Sequence, residues 1–184
     1  MKKVLRSELV DFATYTDRRA SIREVVQQVK ALRRIHVGEY LTFLFENADT
    51  MRYQVQEMMR VEQLVRESSI QHELDTYNAL LGDEGELGCT LLVEVEDTVL
   101  RDRMLVQFVT LPDHLYVELE DGRKVRATVD EAQRSRGRLS TVQYLKFAVG
   151  RKAPVAVGCD HPEMSARTRL TPEQRTALQA DLES

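Results

Sequence analysis

The spacing of apolar residues changes along the chain, and this change is what most restricts the possible folds. Between Ile22 and Leu32 apolar residues recur at every third or fourth position, which is typical of an amphipathic helix. From Cys89 to Glu96 and from Leu115 to Glu120 apolar and polar residues alternate, which is typical of strands with one buried face. The pattern predicts an α+β fold, in which a helical N-terminal part packs on a largely antiparallel sheet and a C-terminal helix follows.

The three parts are expected to form one domain spanning residues 1–184, since this length lies within the usual range for a single domain. The helical part covers about 1–82, the strand-rich part about 83–160 and the C-terminal helix about 171–182. Capping residues and apolar stripes set the ends of the individual helices. We expect these helices from Asp17 or Ser21 to Arg33, from Thr50 to Glu67, from Ser68 or Ser69 to Leu81, and from Thr171 to Leu182.

Turn residues separate the predicted strands. The segment Val37–Glu46 is largely apolar on both faces, so we expect it in the middle of a sheet. After Leu115–Glu120, a three-residue loop that ends in a left-handed Gly122 pairs Val117 with Val125, and Glu118 with Lys124. The other predicted strands are Cys89–Glu96, Met104–Val109, Arg123–Val129, Val142–Val149 and Pro154–Val157.

Charge is distributed unevenly along the chain. Residues 1–36 contain nine Lys and Arg against four Asp and Glu, a local charge of +5, and the remainder contains 17 against 26, a local charge of −9. Such a basic segment either binds an anionic partner such as nucleic acid or packs on the acidic body of its own chain. The second interpretation is favoured, because nucleic-acid-binding proteins are usually basic overall and this chain has a net charge of −4.

Several features favour the cytoplasm. The apolar runs are only a few residues long, so we expect no membrane association, and Arg6, Glu8 and Asp11 interrupt any signal-peptide core. Cys89 and Cys159 are the only cysteines, and two cysteines are a poor disulfide framework for a chain of this length. We therefore expect reduced thiols and a cytoplasmic protein.

Two charged residues fall within apolar helical stripes. Glu62 projects into the middle of the apolar stripe of the second predicted helix, and Arg33 projects onto that of the first. A carboxylate in such a position needs a cation, hydrogen-bond donors or an open cleft. The sequence therefore predicts an Arg33–Glu62 pair, which either fixes the register of two packed helices or lines a ligand pocket.

A polar run precedes Glu62 on the same predicted helix. Arg52, Gln56 and Arg60 recur four residues apart and share a face, and Glu57 lies beside them. Such a face is either solvated or binds an anion or a carboxylate of a partner.

Further along the chain, Gln143 and Tyr144 lie on a predicted strand with basic loops on both sides. These loops either form a cationic rim around the strand or are solvated. Their basic residues are Arg134, Arg136, Arg138, Arg151 and Lys152.

No motif identifies a metal, a cofactor or a catalytic residue. Cys159, Asp160 and His161 form a local group of potential ligands, but the recurrent spacing of metal sites is absent, and His161 is expected in a turn before Pro162. The chain has no glycine-rich phosphate loop and no nucleophile motif, and Cys89 opens an apolar strand. We predict no cofactor and favour a non-enzymatic role.

Four runs of sequence carry a family resemblance: Arg33–Gly38, Phe45–Thr50, Tyr53–Glu62 and Ser140–Phe147. Together they resemble a prokaryotic family that is catalogued as a domain of unknown function, and the resemblance covers essentially the whole chain. Members of that family tend to be encoded near rubrerythrin-like proteins and iron–sulfur oxidoreductases. The resemblance implies an accessory role in redox or peroxide metabolism, and it implies no catalytic residue.

Three functional hypotheses follow. In the leading one, the protein is an accessory or binding protein in cytosolic redox or peroxide-stress metabolism, and the Arg52–Glu62 helix with the adjacent sheet engages a rubrerythrin-like or iron–sulfur partner. In the second, it is an enzyme or a small-anion-binding protein with a pocket around Arg33, Glu62, Arg60 and Gln143. In the third, the basic first helix binds nucleic acid. The sequence does not indicate an oligomeric state.

Overall fold

Helices come first in the chain and strands dominate its second half, as the computed structural model shows for residues 2–129 and 137–184. The α-helices within these ranges are α1 (Phe12–Ala31), α2 (Ala48–Val61), α3 (Glu67–Asn78), α4 (Thr98–Gln107) and α5 (Pro172–Glu183). The strands are β1 (Arg34–Val37), β2 (Leu41–Phe45), β3 (Glu86–Val93), β4 (Leu115–Glu118), β5 (Lys124–Arg126), β6 (Thr128–Val129), β7 (Val142–Ala148), β8 (Ala156–His161) and β9 (Met164–Arg169). The predicted α+β class with a C-terminal helix is confirmed.

Capping residues explain where the first two helices begin. Asp11 caps α1 by accepting a hydrogen bond from the backbone N–H of Thr14, so the helix starts before the predicted Asp17 or Ser21. Asn47 caps α2 and forms a capping box with Thr50, which sets its start two residues before the predicted one. Gln63 adopts a left-handed backbone with φ 52°, which ends α2 well before the predicted Glu67.

The strand predictions were right for the hairpin at Gly122, right in part for Val37–Glu46 and wrong for Met104–Val109. Val117 pairs with Val125 and Glu118 with Lys124, as the three-residue loop requires. The prediction of a strand inside the sheet over Val37–Glu46 was right for Leu41–Phe45, which forms β2 between β1 and β3. Gly38 adopts φ 63° and reverses the chain, so Val37 belongs to β1 instead. The predicted strand Met104–Val109 lies largely in α4, which Asp97 caps through the N–H of Leu100. Strand β9 and helix α4 were not anticipated, and β9 follows the end of β8 at His161.

The strands form two antiparallel sheets. The first has the order β1-β2-β3-β7-β6 and the second β5-β4-β8-β9. Their facing sides share one hydrophobic core, within which the rings of Phe45 and Phe147 lie 6.1 Å apart. Helix α5 adds the fully buried Leu178 to this core. The core includes Phe43, Leu91 and Leu145 from the first sheet and Leu115, Val117, Val157 and Cys159 from the second.

The opposite face of the first sheet is turned toward α2 and α3, which pack on each other through a second apolar cluster. Register places Arg34, Leu44, Thr90 and Tyr144 in one row across β1, β2, β3 and β7. Side chains alternate along a strand, so this row lies on the face opposite the core residues Phe43 and Leu91. The row forms the floor of the site described below.

Candidate functional site

A cavity of about 270 Å³ lies between this row and the helices α2 and α3. We call it the Glu46 cleft. Its polar lining consists of Lys30, Arg34, Glu46, Thr50, Gln54, Tyr77, Thr90 and Tyr144. Its apolar lining consists of Leu44, Met51, Leu80, Leu92 and Val142.

The position of Glu46 follows from the junction between β2 and α2. Glu46 lies directly after the last residue of β2 and directly before the cap Asn47, and its backbone N–H donates to the carbonyl of Gly88. Close to this junction, Leu80, which follows α3, packs tightly against Gly88 of β3. A Cβ on Gly88 would lie 2.2 Å from the carbonyl oxygen of Leu80. Gly88 thus lets the helical layer approach the sheet at one end of the cleft.

The carboxyl group of Glu46 is buried and is held by two hydroxyl groups. Only 4% of the residue is exposed. The Oγ1 atoms of Thr50 and Thr90 donate to its two carboxyl oxygens, each at 2.6 Å. Burial raises the pKa of Glu46, and these hydrogen bonds and the positive charges of Lys30 and Arg34 offset only part of that rise.

Lys30, from the last turn of α1, supplies a partly buried ammonium group to the cleft. Its Nζ lies 5.2 Å from the ring centroid of Tyr53, a cation–π contact. Among the residues that the structure describes, no carboxylate lies within salt-bridge distance of this ammonium group. Burial lowers the pKa of Lys30, and the charge of Glu46 counteracts this shift only in part.

Two tyrosines lie on the opposite side of the cleft from α1. Tyr77 accepts a long hydrogen bond of 3.5 Å from the amide of Gln54. Burial raises the pKa of Tyr144, and the nearby Tyr77 and Glu46 raise it further. The cleft therefore combines cationic groups, a carboxyl group whose pKa is raised by burial, and phenol and amide groups above an apolar floor. This set suits a small ligand with an anionic group and an apolar body.

Two further cavities adjoin the cleft and share Leu80 and Tyr144 with it. One, of about 380 Å³, extends toward Ser140 and Gln143. The other, of about 270 Å³, extends toward Val129. The cleft is thus the polar part of a longer depression.

The predicted Arg33–Glu62 pair was wrong. Arg33 is buried, but its Nε and Nη2 donate to Asp181 of α5 at 2.7 and 2.8 Å. Glu62 is exposed at the C-terminal end of α2, where the left-handed Gln63 ends the helix. The predicted pocket around Arg33 and Glu62 therefore does not form.

Two of the other predicted residues of α2, Gln56 and Glu57, contact the N-terminal segment of the chain rather than a cleft. Gln56 is buried and forms two hydrogen bonds with the backbone of Val10. Glu57 accepts from Tyr15 at 2.6 Å and from Arg19 at 2.7 and 2.8 Å. The Arg19 guanidinium lowers the pKa of Glu57 to about 2. In addition, Arg52 pairs with Asp49, and Arg60 lies 3.5 Å from Glu57 while its buried Nε has no partner within the described residues.

Of the two residues predicted on β7, Tyr144 lies in the Glu46 cleft. Gln143 is buried, donates to the carbonyl of Ser140 and lines the adjoining cavity. In the predicted cationic rim, Arg138 pairs with Asp102. The rim residues Arg134 and Arg136 lie outside the described residues.

The basic N-terminal segment forms ion pairs with carboxylates of later elements. Arg6 binds Glu67, Arg19 binds Glu57 and Arg33 binds Asp181. These contacts support the interpretation that the segment packs on an acidic body of its own chain.

The two cysteines and His161 are buried. Both thiols are free and buried, and burial raises the pKa of Cys89 and of Cys159. His161 was predicted in a turn but is the last residue of β8, and its ring packs against Phe108 and His114. Within residues 2–129 and 137–184, no three His, Cys, Asp or Glu side chains are grouped so as to hold a metal ion.

Sequence reasoning identified Tyr144 and missed Lys30 and Glu46. A signal for Glu46 was present, because a carboxylate ends the strongly apolar run Leu41–Phe45 immediately before the helix cap. For Lys30, no local pattern distinguishes it from the solvated basic residues of α1.

The comparisons with known proteins give the family and the fold. The chain matches the DUF3501 family, described as proteins of unknown function, over residues 3–182, and it belongs to this family. The crystal structure of a novel protein of unknown function from Burkholderia pseudomallei K96243 is 31% identical and superposes with a TM-score of 0.91 over 98% of this chain and 100% of that chain. No curated protein matches. Across the described residues, no helix has both the length and the apolar character needed to cross a bilayer.

Proposed function

We propose that the protein is a cytosolic binding protein for a small organic anion, which the Glu46 cleft holds between Lys30 and Arg34. The observation that carries the proposal is the ammonium group of Lys30, which is partly buried in a cavity and has no carboxylate within salt-bridge distance in the described part of the chain. A buried charge without a counter-ion is costly, and a bound anion removes that cost.

The charge balance of the cleft supports an anionic ligand. Lys30 and Arg34 contribute two positive charges, and burial favours the neutral form of Glu46. A neutral Glu46 also has one O–H left to donate, because the threonine hydroxyl groups occupy only its acceptor sites. The apolar residues Leu44 and Leu80 favour a ligand with a hydrocarbon or aromatic body.

Thermal unfolding with a panel of anions tests the proposal. Acetate, pyruvate, benzoate and phosphate are added separately to the wild type, to Lys30→Met and to Lys152→Met, a control that removes an exposed lysine outside the cleft. A ligand at 100 times its dissociation constant adds about 2.7 kcal/mol to the free energy of unfolding. We expect at least one organic acid to stabilise the wild type and Lys152→Met and to lose this effect in Lys30→Met. Equal stabilisation of all three proteins, or of none, contradicts the proposal.

The redox hypothesis stays a prediction that rests on the family resemblance. Gln56 and Glu57 are engaged within the chain. The exposed Glu62 and the partly exposed Arg52, which also pairs with Asp49, remain as contacts for a rubrerythrin-like or iron–sulfur partner. The test is a pull-down from the native host with the wild type and with Arg52→Glu. Specific capture of such a partner by the wild type alone supports the hypothesis. Identical capture by both proteins contradicts the claim that Arg52 contacts the partner.

Binding of nucleic acid by α1 is the less favoured alternative. Arg19 is paired with Glu57, and Lys30 faces the cleft, so these two charges of α1 do not join an exposed basic face. Retention on DNA at low salt that falls steeply as salt rises is the result that favours this alternative.

A further inference from the structure

We propose that Lys30 is a nucleophile and that its amine forms an imine with the carbonyl group of a 2-oxo acid bound in the Glu46 cleft. This inference rests on the proposed function, and it narrows the organic anion to one chemical class.

The surroundings of Lys30 favour an amine that can react. Its ammonium group is partly buried, lies against the ring of Tyr53 and has no carboxylate at salt-bridge distance among the described residues. Burial without a close carboxylate disfavours the charged form and outweighs the cation–π contact with Tyr53, so the pKa of Lys30 is lowered. The neutral amine, which carries the nucleophilic electron pair, is therefore more abundant at Lys30 than at a solvated lysine.

Glu46 supplies an acid in the same cavity. Burial favours its protonated form, as the raised pKa records, and the hydroxyl groups of Thr50 and Thr90 hold it in place. A buried carboxylic acid in the same cavity as a partly buried amine can support imine formation, since one group attacks and the other protonates the oxygen that leaves.

The reaction balances without any further reactant. The nitrogen electron pair of Lys30 forms a bond to the carbonyl carbon, and the carbonyl oxygen takes a proton from Glu46. The nitrogen then loses a proton to the carboxylate of Glu46, which returns it to the hydroxyl group as water leaves. This leaves a protonated C=N bond and a Glu46 carboxylate, and the nitrogen then gives its remaining proton to that carboxylate. A C=N bond thus replaces the C=O bond, one water is released, and Glu46 ends in its starting protonation state.

The size and charge of the cleft fit a 2-oxo acid. Such an acid has a carbonyl group next to a carboxylate, and Arg34 follows Lys30 four residues along the chain into the same lining. At about 30 Å³ for each water-sized group, the cavity of about 270 Å³ has room for roughly nine non-hydrogen atoms. Acids from pyruvate to a short branched 2-oxo acid fall within this limit.

Reductive trapping tests the inference. The wild type is incubated with glyoxylate, pyruvate or 2-oxobutyrate in the presence of sodium cyanoborohydride, which reduces an imine to a stable amine, and the modified lysines are located by peptide mass spectrometry. We expect Lys30 to be labelled at least tenfold faster than any exposed lysine. Lys30→Arg keeps the charge and should abolish this fast labelling. The matched control Lys146→Arg, which changes a lysine of the adjoining cavity, should retain it. Glu46→Gln should slow labelling of Lys30 at least tenfold.

The outcomes separate this inference from the proposed function. If 2-oxo acids stabilise the wild type thermally but label Lys30 no faster than exposed lysines, the imine is refuted and anion binding stands. If they neither stabilise the protein nor label Lys30 preferentially, this inference fails, and anion binding also fails only if no anion of the thermal panel stabilises the wild type. Because the labelled position is read in the wild type, the test holds even if a variant folds poorly.

Discussion

Asp181 is the residue whose replacement should most clearly reveal how the C-terminal helix is held. It accepts hydrogen bonds from the Nε and Nη2 of Arg33 and from the side-chain amide of Asn47 at 3.1 Å. The exposed fractions of Arg33 and Asp181 are 7% and 6%, so neither charge is solvated. Asp181→Asn keeps the shape of the side chain and removes its charge. Arg33 then remains as a buried cation that no carboxylate neutralises.

The expected loss follows from this burial. Removing one partner of a buried ion pair costs about 3–5 kcal/mol, against about 0.2–1 kcal/mol for an exposed pair. The protein offers a control in Arg167 and Glu118, which form an equally close two-bond pair with side chains that are 41% and 19% exposed. A small domain has about 5–15 kcal/mol of stability in total, so Asp181→Asn should remove a large part of it.

Urea unfolding followed by circular dichroism measures these losses. With a slope of about 2 kcal/mol per molar urea, a loss of 3 kcal/mol lowers the midpoint by about 1.5 M. We expect this shift for Asp181→Asn, a shift below about 0.5 M for Glu118→Gln, and near-complete recovery in the double variant Arg33→Met with Asp181→Leu, which removes both buried charges. The reasoning is refuted if Asp181→Asn resembles Glu118→Gln, or if the double variant is no more stable than the single one.

Three further predictions concern the cleft and the α1–α2 contact. Gly88→Ala should lower stability by about 1–3 kcal/mol, measured by urea unfolding, because its Cβ would overlap the carbonyl oxygen of Leu80. The folded pKa of Glu57 is about 2 against an ordinary 4.5, so the stability that Glu57 contributes is present above pH 4.5 and is lost as the pH falls toward 2. In Glu57→Gln, the urea midpoint measured against pH should no longer show this loss. The effect of Glu46 on stability changes with pH in the opposite direction. Because its folded pKa is raised above 4.5, the unfolded chain ionises first and stability falls as the pH rises above 4.5, and Glu46→Gln should abolish this fall.

Local backbone chemistry explains which elements could be predicted from the sequence. The hairpin register was predictable because Gly122, with φ 82°, readily takes the left-handed position that a three-residue loop requires. The capping box at Thr171 likewise set the start of α5. The run Met104–Val109 was misread because a short apolar segment fits a buried strand as well as a helix, and the cap at Asp97 decides between them. Strand β9 was missed because every second residue in it is exposed and the others are only partly buried.

The site was harder to predict because its partners are distant in the sequence. The expectation that Arg33 needs a counter-ion was sound, but that counter-ion lies 148 residues away on α5, and no local pattern indicates such a contact. Glu62 was predicted in an apolar stripe because α2 was expected to continue past it. The left-handed Gln63 ends the helix there instead. Tyr144 was predicted from its strand, but the grouping of Lys30 with Glu46 arises only when α1, α2 and the sheet come together.

The buried carboxyl groups of Asp181 and Glu46 differ in whether a cationic side chain binds them directly. Asp181 has a guanidinium partner inside the protein, so its charge is neutralised by the fold itself. Glu46 is as deeply buried, but its direct partners among the described residues are two hydroxyl groups, while Lys30 carries a disfavoured charge in the same cavity. The fold alone does not require a carboxyl group there, since a neutral side chain of the same shape avoids the desolvation cost. If Glu46→Gln is less stable than the wild type at neutral pH, then Glu46 is structural in the same sense as Asp181, and its proposed role as an acid toward a bound ligand is refuted.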